Sequence, residues 1–212
     1  MKDFISYFYQ TILDFDLILR FAFSAGLLYG SFAVSLLLTN IPVRFPRVHL
    51  APRILERLFF LGFLAVFMIS HFLPVGEGIQ AVLIALFIIA FFCLFILYEH
   101  QKQYGTIKEG FLSFAESEPK LNSRLRVSFV RRNFLFLIAK YHYRFWMVLL
   151  FYEVISETVP GIGGAVRLAL REWNSSHSAL VFLFIIAVLF LLDLVLRLSE
   201  ISITPWREEL EK

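Results

Sequence analysis

The chain has 212 residues, 59% of them hydrophobic and 17% charged, with a formal net charge of +3. With a mean hydropathy of +0.74, this lies far above soluble-domain usage and excludes an ordinary soluble domain. The length suits one membrane domain. The basic excess is no nucleic-acid footprint, because most charges sit between apolar runs.

Five membrane spans are predicted in chain order. The first covers about Leu17–Leu38 and carries Gly26 and Gly30 at GxxxG spacing, which suits close helix contact. The second, about Ile54–Leu73, is closed by Pro74. The third, about Ile79–Tyr98, is the cleanest, and its phenylalanines (Phe87, Phe91, Phe92, Phe95) face lipid or pack between helices. The fourth, about Ile138–Val159, is closed by Pro160 and the Gly161, Gly163, Gly164 cluster, and is the least hydrophobic, with Lys140, Arg144, Glu153 and Glu157. The fifth is about Ala179–Leu198. Each is near the ~20 residues that cross ~30 Å of hydrocarbon. Backbone pairing in lipid then demands helices, since no segment alternates like a barrel strand. The single cysteine, Cys93, lies inside an apolar run and reads as packing. No cleavable signal peptide is expected, since acids precede the first apolar stretch.

Basic residues orient the bundle. Arg44, Arg47, Arg53 and Arg57 fall around the first connection, and Lys102, Lys108, Lys120, Arg124, Arg126, Arg131 and Arg132 around the third. The positive-inside rule makes these cytoplasmic, with the N-terminus outside and the C-terminus inside an inner (cytoplasmic) membrane. The connection 99–137 carries both charge signs, should be helical in pieces, and is long enough to suggest a role of its own. After the fourth span, Ala165–Trp173 reads as a short amphipathic piece along the outer surface.

A carboxylate within a span is costly, so Glu153 either faces a bundle interior or water, or stays wet near the outer boundary. Asp193, Arg197 and Glu200 fall at i, i+4 and i+7 on one helix face, a structural ion-pair set at the inner interface. His142, between Tyr141 and Tyr143, reads as interface anchoring. His49, His71, His100, His142 and His177 show no metal-binding spacing, and no Gly-rich loop precedes a Lys. No catalytic residue, metal, cofactor or ATP site is therefore expected in this chain.

Three collinear stretches resemble the permease subunits of binding-protein-dependent ABC importers, nearest the nitrate/sulfonate/taurine type. Residues 52–92 resemble a helix opening with Pro, a short outer turn (here Val75-Gly76-Glu77-Gly78) and a helix carrying Leu83-Ile84-Ala85-Leu86. Tyr152–Gly163 resembles a Glu within a span followed by a small-residue turn, matched by Glu153 and Gly161-Ile162-Gly163. Asp193, Arg197, Glu200 and Trp206 are similar to the terminal pattern D-x-x-x-R-x-x-E…W.

The resemblance implies an all-α, polytopic, type I importer fold in which two permease subunits form the pathway. It further implies ABC ATPase subunits docked on a cytoplasmic EAA loop and an external substrate-binding protein. Glu153, Gly161 and Gly163 become pathway candidates. The coupling loop corresponds to Glu116-Ser117-Glu118-Pro119-Lys120-Leu121-Asn122 and extends to Arg124. Glu116 matches, but both Ala positions differ, Asn122 replaces the Gly, and the later Pro is missing. Pro119 is tolerated in a helix's first turn, so a docking helix would start near it. This degenerate loop implies a heteromeric pairing with a second, more regular permease. The rival expectation is a non-transporting scaffold or regulator that keeps a permease fold.

Overall fold

Inside a bilayer every backbone N–H and C=O must be paired without water, and this sequence meets the demand with helices alone. The computed structural model describes residues 2–40, 52–72, 76–111, 118–156, 159–171 and 175–203. Among the described residues there are seven helices and no strand: α1 (Lys2–Asp14), α2 (Leu17–Asn40), α3 (Pro52–Phe72), α4 (Glu77–Phe111), α5 (Glu118–Ile155), α6 (Ile162–Arg171) and α7 (Ser175–Ile203). Five of them, α2, α3, α4, α5 and α7, are long and apolar enough to cross a membrane. The described residues are thus all-helical outside their turns, with five candidate spans.

Local chemistry sets the boundaries. Asp16 takes a left-handed φ of 49°, a conformation that Asp tolerates better than most side chains, and the chain turns there from α1 into α2. Pro52 opens α3 in its first turn, and Pro119 does the same for α5, where a missing N–H costs nothing. The fourth span is displaced from its predicted limits. α5 begins well before Ile138, and it ends at Ile155 rather than Val159. With 35 and 38 residues, α4 and α5 run about 52 and 57 Å, well beyond the ~30 Å of hydrocarbon. Most of the 99–137 stretch is therefore continuous with spanning helices. Leu121, Asn122 and Arg124 lie in the first turns of α5, their side chains outside the described residues, as is Glu116.

The core sits where α2 meets α4 and α5. Phe32 of α2 stacks on Phe92 at 4.2 Å and meets Phe145 edge-on at 5.3 Å. Close approach of α2 to α4 uses serine rather than glycine. Ser31, Ser35 and Thr39 are buried at four-residue spacing, and Ser35 Oγ lies 3.2 Å from the Ile89 carbonyl. Each of these hydroxyls also donates to its own helix one turn back. The predicted contact face is corrected accordingly: a Cβ on Gly26 or Gly30 would meet nothing within 4 Å, so the GxxxG face points out of the bundle.

α5 has two stretches. From Tyr141 onward it packs along the core. Before that, Arg126, Phe129, Val130, Asn133 and Leu137 form a buried stripe. Arg126 Nε donates to the Thr39 carbonyl at 3.2 Å, placing a cation on the open carbonyl end of α2. Adjacent residues of α4, Glu99 and His100, meet α5 at Tyr141 and Phe129. Contacts so far apart along α5 mean that it crosses α4 obliquely here.

α6 is a further correction: its apolar face is turned to protein, with Leu168, Leu170 and Arg171 left exposed. Ile162, Gly163, Gly164, Ala165, Val166 and Ala169 are buried, and the helix packs against α2, α5 and α7.

Candidate functional site

The most elaborate polar arrangement is built around Glu153, two residues from the end of α5. Its side chain is fully buried. Oε1 accepts the Ser24 hydroxyl of α2 at 2.7 Å, and Oε2 accepts the Gly163 N–H of α6 at 2.9 Å. The Ile162 N–H in turn donates to Ser24 Oγ at 2.9 Å. One carboxylate and one hydroxyl thus satisfy two of the free N–H groups that open α6, and the negative charge lies at the positive end of that helix.

The glycines make this geometry possible. A Cβ on Gly163 would lie 2.6 Å from Glu153 Cβ and 2.7 Å from the Leu150 carbonyl. A Cβ on Gly161 would collide with the Glu153 carboxylate itself. Gly164 differs, since its nearest neighbour would be Arg20 Nη1, the free end of a long side chain, at 3.0 Å. The structure therefore brings the three predicted residues Glu153, Gly161 and Gly163 together, as a helix-capping latch whose carboxylate oxygens both accept protein hydrogen bonds. Of the two placements open for Glu153, it takes the bundle interior.

A polar network continues from the latch. Tyr152 OH donates to Ser70 Oγ of α3 at 2.7 Å, Ser156 Oγ donates to Gln80 Oε1 of α4 at 2.6 Å, and the Arg167 guanidinium of α6 donates to the Ser156 carbonyl. Four helices are joined at one end of the bundle by groups that would each be costly to leave unpaired in lipid.

At the other end, Glu99 of α4 is buried and its Oε1 accepts from Lys140 Nζ at 2.7 Å and from Tyr141 OH at 2.6 Å. Nearby, Arg144 Nη1 pairs with Glu56 Oε1 of α3 at 3.2 Å, with both side chains exposed. The two pairs border a cleft of about 190 Å³ between α3, α4 and α5.

Asp193 and Arg197 pair within α7, Nε to Oδ2 at 2.8 Å. Glu200 lies half-buried one turn on. His142 is not an interfacial anchor: it is fully buried, with Nδ1 2.9 Å from the Ala139 carbonyl and Nε2 3.7 Å from Asp193 Oδ1. No cluster of three or more metal-ligating side chains occurs among the described residues.

Ser24, Glu99, Tyr141 and Gln80 were not singled out by the sequence. Ser24 sits in an apolar run, where one hydroxyl draws no attention. Glu99 reads as the first residue of a connection because the apolar run stops at Tyr98, whereas α4 continues to Phe111. Comparison with family models, curated proteins and solved structures found no match for this chain.

Proposed function

We propose that the chain is the permease subunit of an ABC importer, supplying half of a transmembrane pathway beside a second permease subunit. ATP hydrolysis belongs to partner ATPases, docked on the segment around Glu116, Leu121, Asn122 and Arg124. An external binding protein delivers substrate. The cytoplasmic (inner) membrane, with the N-terminus outside and the C-terminus inside, is the location this reading requires.

The observation that carries it is the contact of Glu153 with the turn at Gly161 and Gly163. The resemblance pairs a Glu inside a span with a small-residue turn. The contact supplies a physical reason for that pairing, because the carboxylate needs backbone N–H groups and only glycine admits them so closely. The start of α5 at Glu118, with Pro119 in its first turn, supports a docking segment that leads directly into a spanning helix.

The competing reading, a scaffold that no longer transports, draws on Glu118 and Asn122 at positions where small residues let a coupling helix sit deep. Purification from the native membrane in mild detergent separates the two. A stoichiometric ABC ATPase that cross-links to a photoreactive residue at Leu121, with transport lost on Leu121→Asp in the assembled complex, supports the permease. An assembly without an ATPase, or transport unaffected by Leu121→Asp, sinks it. Two copies of this chain and no second permease would overturn the heteromeric pairing.

A further inference from the structure

One face of α3 changes character along its length. Arg53, Glu56 and Arg57 are exposed in its first two turns. Phe60 and Leu61 follow on the same face at i+3 and i+4 from Arg57, 60% and 59% exposed, and Leu64 lies one turn beyond. Spacings of three and four place these side chains in one stripe. The stripe is basic where the span begins and apolar where it enters hydrocarbon.

Arg53, Glu56, Arg57, Phe60 and Leu61 line one open hollow on this face, and Glu56 alone also borders the cleft between α3, α4 and α5. Lys102, at the end of the candidate span Gly78–Lys102, lines this cleft with Glu99, Lys140 and Arg144. Glu99 is matched by Lys140 and Glu56 by Arg144. In the hollow on α3, Arg53 and Arg57 outnumber Glu56, whose carboxylate is already paired with Arg144, so positive charge is in surplus there. A cationic pocket at a span boundary, continued by an exposed apolar stripe, has the order of a phospholipid: a charged head, then a chain.

We propose that this face holds one anionic phospholipid, its phosphodiester held by Arg53 and Arg57 and an acyl chain lying along Phe60, Leu61 and Leu64. The site is independent of the permease reading and needs only that α3 spans the membrane. Guanidinium groups suit it, because their fork of donors matches phosphate oxygens. Arg144, on the cleft side, holds the Glu56 carboxylate that would otherwise compete for the two arginines.

Native mass spectrometry of the full chain, relipidated from equimolar phosphatidylglycerol and phosphatidylcholine, tests the site. Wild type should retain one phosphatidylglycerol in clear preference, and Arg53→Gln/Arg57→Gln should lower that preference by roughly tenfold or more. Arg171→Gln, at the end of α6, should leave it unchanged. A measurement without variants uses spin-labelled lipids in bilayers. The immobilised fraction should be larger for phosphatidylglycerol than for phosphatidylcholine, and the excess should collapse at high salt. Equal retention of both lipids overturns the proposal, as does a preference that survives the double substitution. So does stoichiometric binding of inorganic phosphate that displaces no lipid, which would make the pocket a free-anion site.

Discussion

At Gly163 the volume of a single methyl group decides whether α6 can approach α5. Gly163→Ala forces backbone apart, because two of the three atoms that its Cβ would meet belong to the main chain of α5, the Leu150 carbonyl and the Val154 nitrogen. We expect a loss of about 1–3 kcal/mol, the usual cost of overpacking, read as a lowered midpoint of unfolding in mixed micelles. Gly164→Ala meets the tip of Arg20 closely and the Val159 carbonyl only at an ordinary 3.5 Å, and should stay within about 0.5 kcal/mol of wild type. Equal effects of the two would mean that α6 is not seated as described. Glu153 gives a second graded series. Inter-helical hydrogen bonds in bilayers average only about 0.6 kcal/mol, but Glu153→Ala strands buried donors, at about 1–3 kcal/mol each. Glu153→Gln keeps one acceptor oxygen and turns an NH₂ toward the other donor, so it should fall between wild type and alanine. If alanine were tolerated as well as glutamine, the latch would contribute nothing to the fold.

At the level of elements, the serines of α2 do what its glycines were expected to do. Gly26 and Gly30 meet nothing, so Gly30→Ala should leave the isolated chain as stable as wild type or slightly more so, since Ala lowers the entropic cost of helix. A marked drop in its unfolding midpoint would show that this face is packed within the monomer. The serines were hard to see because Ser31, Ser35 and Thr39 look polar in an apolar run, yet each hydroxyl is spent on its own helix. The five long helices were legible, because length and hydropathy report directly on the cost of leaving backbone unpaired in lipid. The limits of α5 were not. Its first half carries Arg126, Arg131 and Arg132, which read as loop, although Arg126 belongs to the buried stripe and only Arg131 and Arg132 are exposed. α6 was legible as amphipathic but not as interior, since a hydrophobic face looks the same whether it meets lipid or protein. Glu153, Gly161 and Gly163 could be named from sequence, but the partner that completes them, Ser24, lies 129 residues away from Glu153 and only the fold brings it there.

For the molecule as a whole, the arrangement of spans makes a topological statement that labelling can check. Arg53, in the first turn of α3, and Gly76, beyond its far end, are both exposed. With Cys93 replaced by Ala, a cysteine at each of these positions should react with a membrane-impermeant maleimide from opposite faces of sealed vesicles. Reaction from the same face would remove α3 from the set of spans, and with it the odd number that sends the two termini to opposite sides. The bundle is tied at both ends by polar groups, the Glu153 latch and network at one and the Glu99 cluster at the other, with the phenylalanine core of α2, α4 and α5 between them. Because polar contacts in lipid are specific where apolar ones are permissive, these ends fix which helices are neighbours, and the core fixes how closely they pack.

The latch also has a consequence for biogenesis. Ser24 is synthesised long before Glu153, whereas Gly163 follows Glu153 by only ten residues. When the nascent α5 enters the membrane it carries a carboxylate with one partner already in place and the others about to leave the ribosome. A chain stopped just after Ser156 would hold that acid with its remaining partners never made. The least hydrophobic span therefore depends for its insertion on the short helix that comes next, and chains truncated on either side of α6 should differ sharply in how much of α5 becomes membrane-integrated.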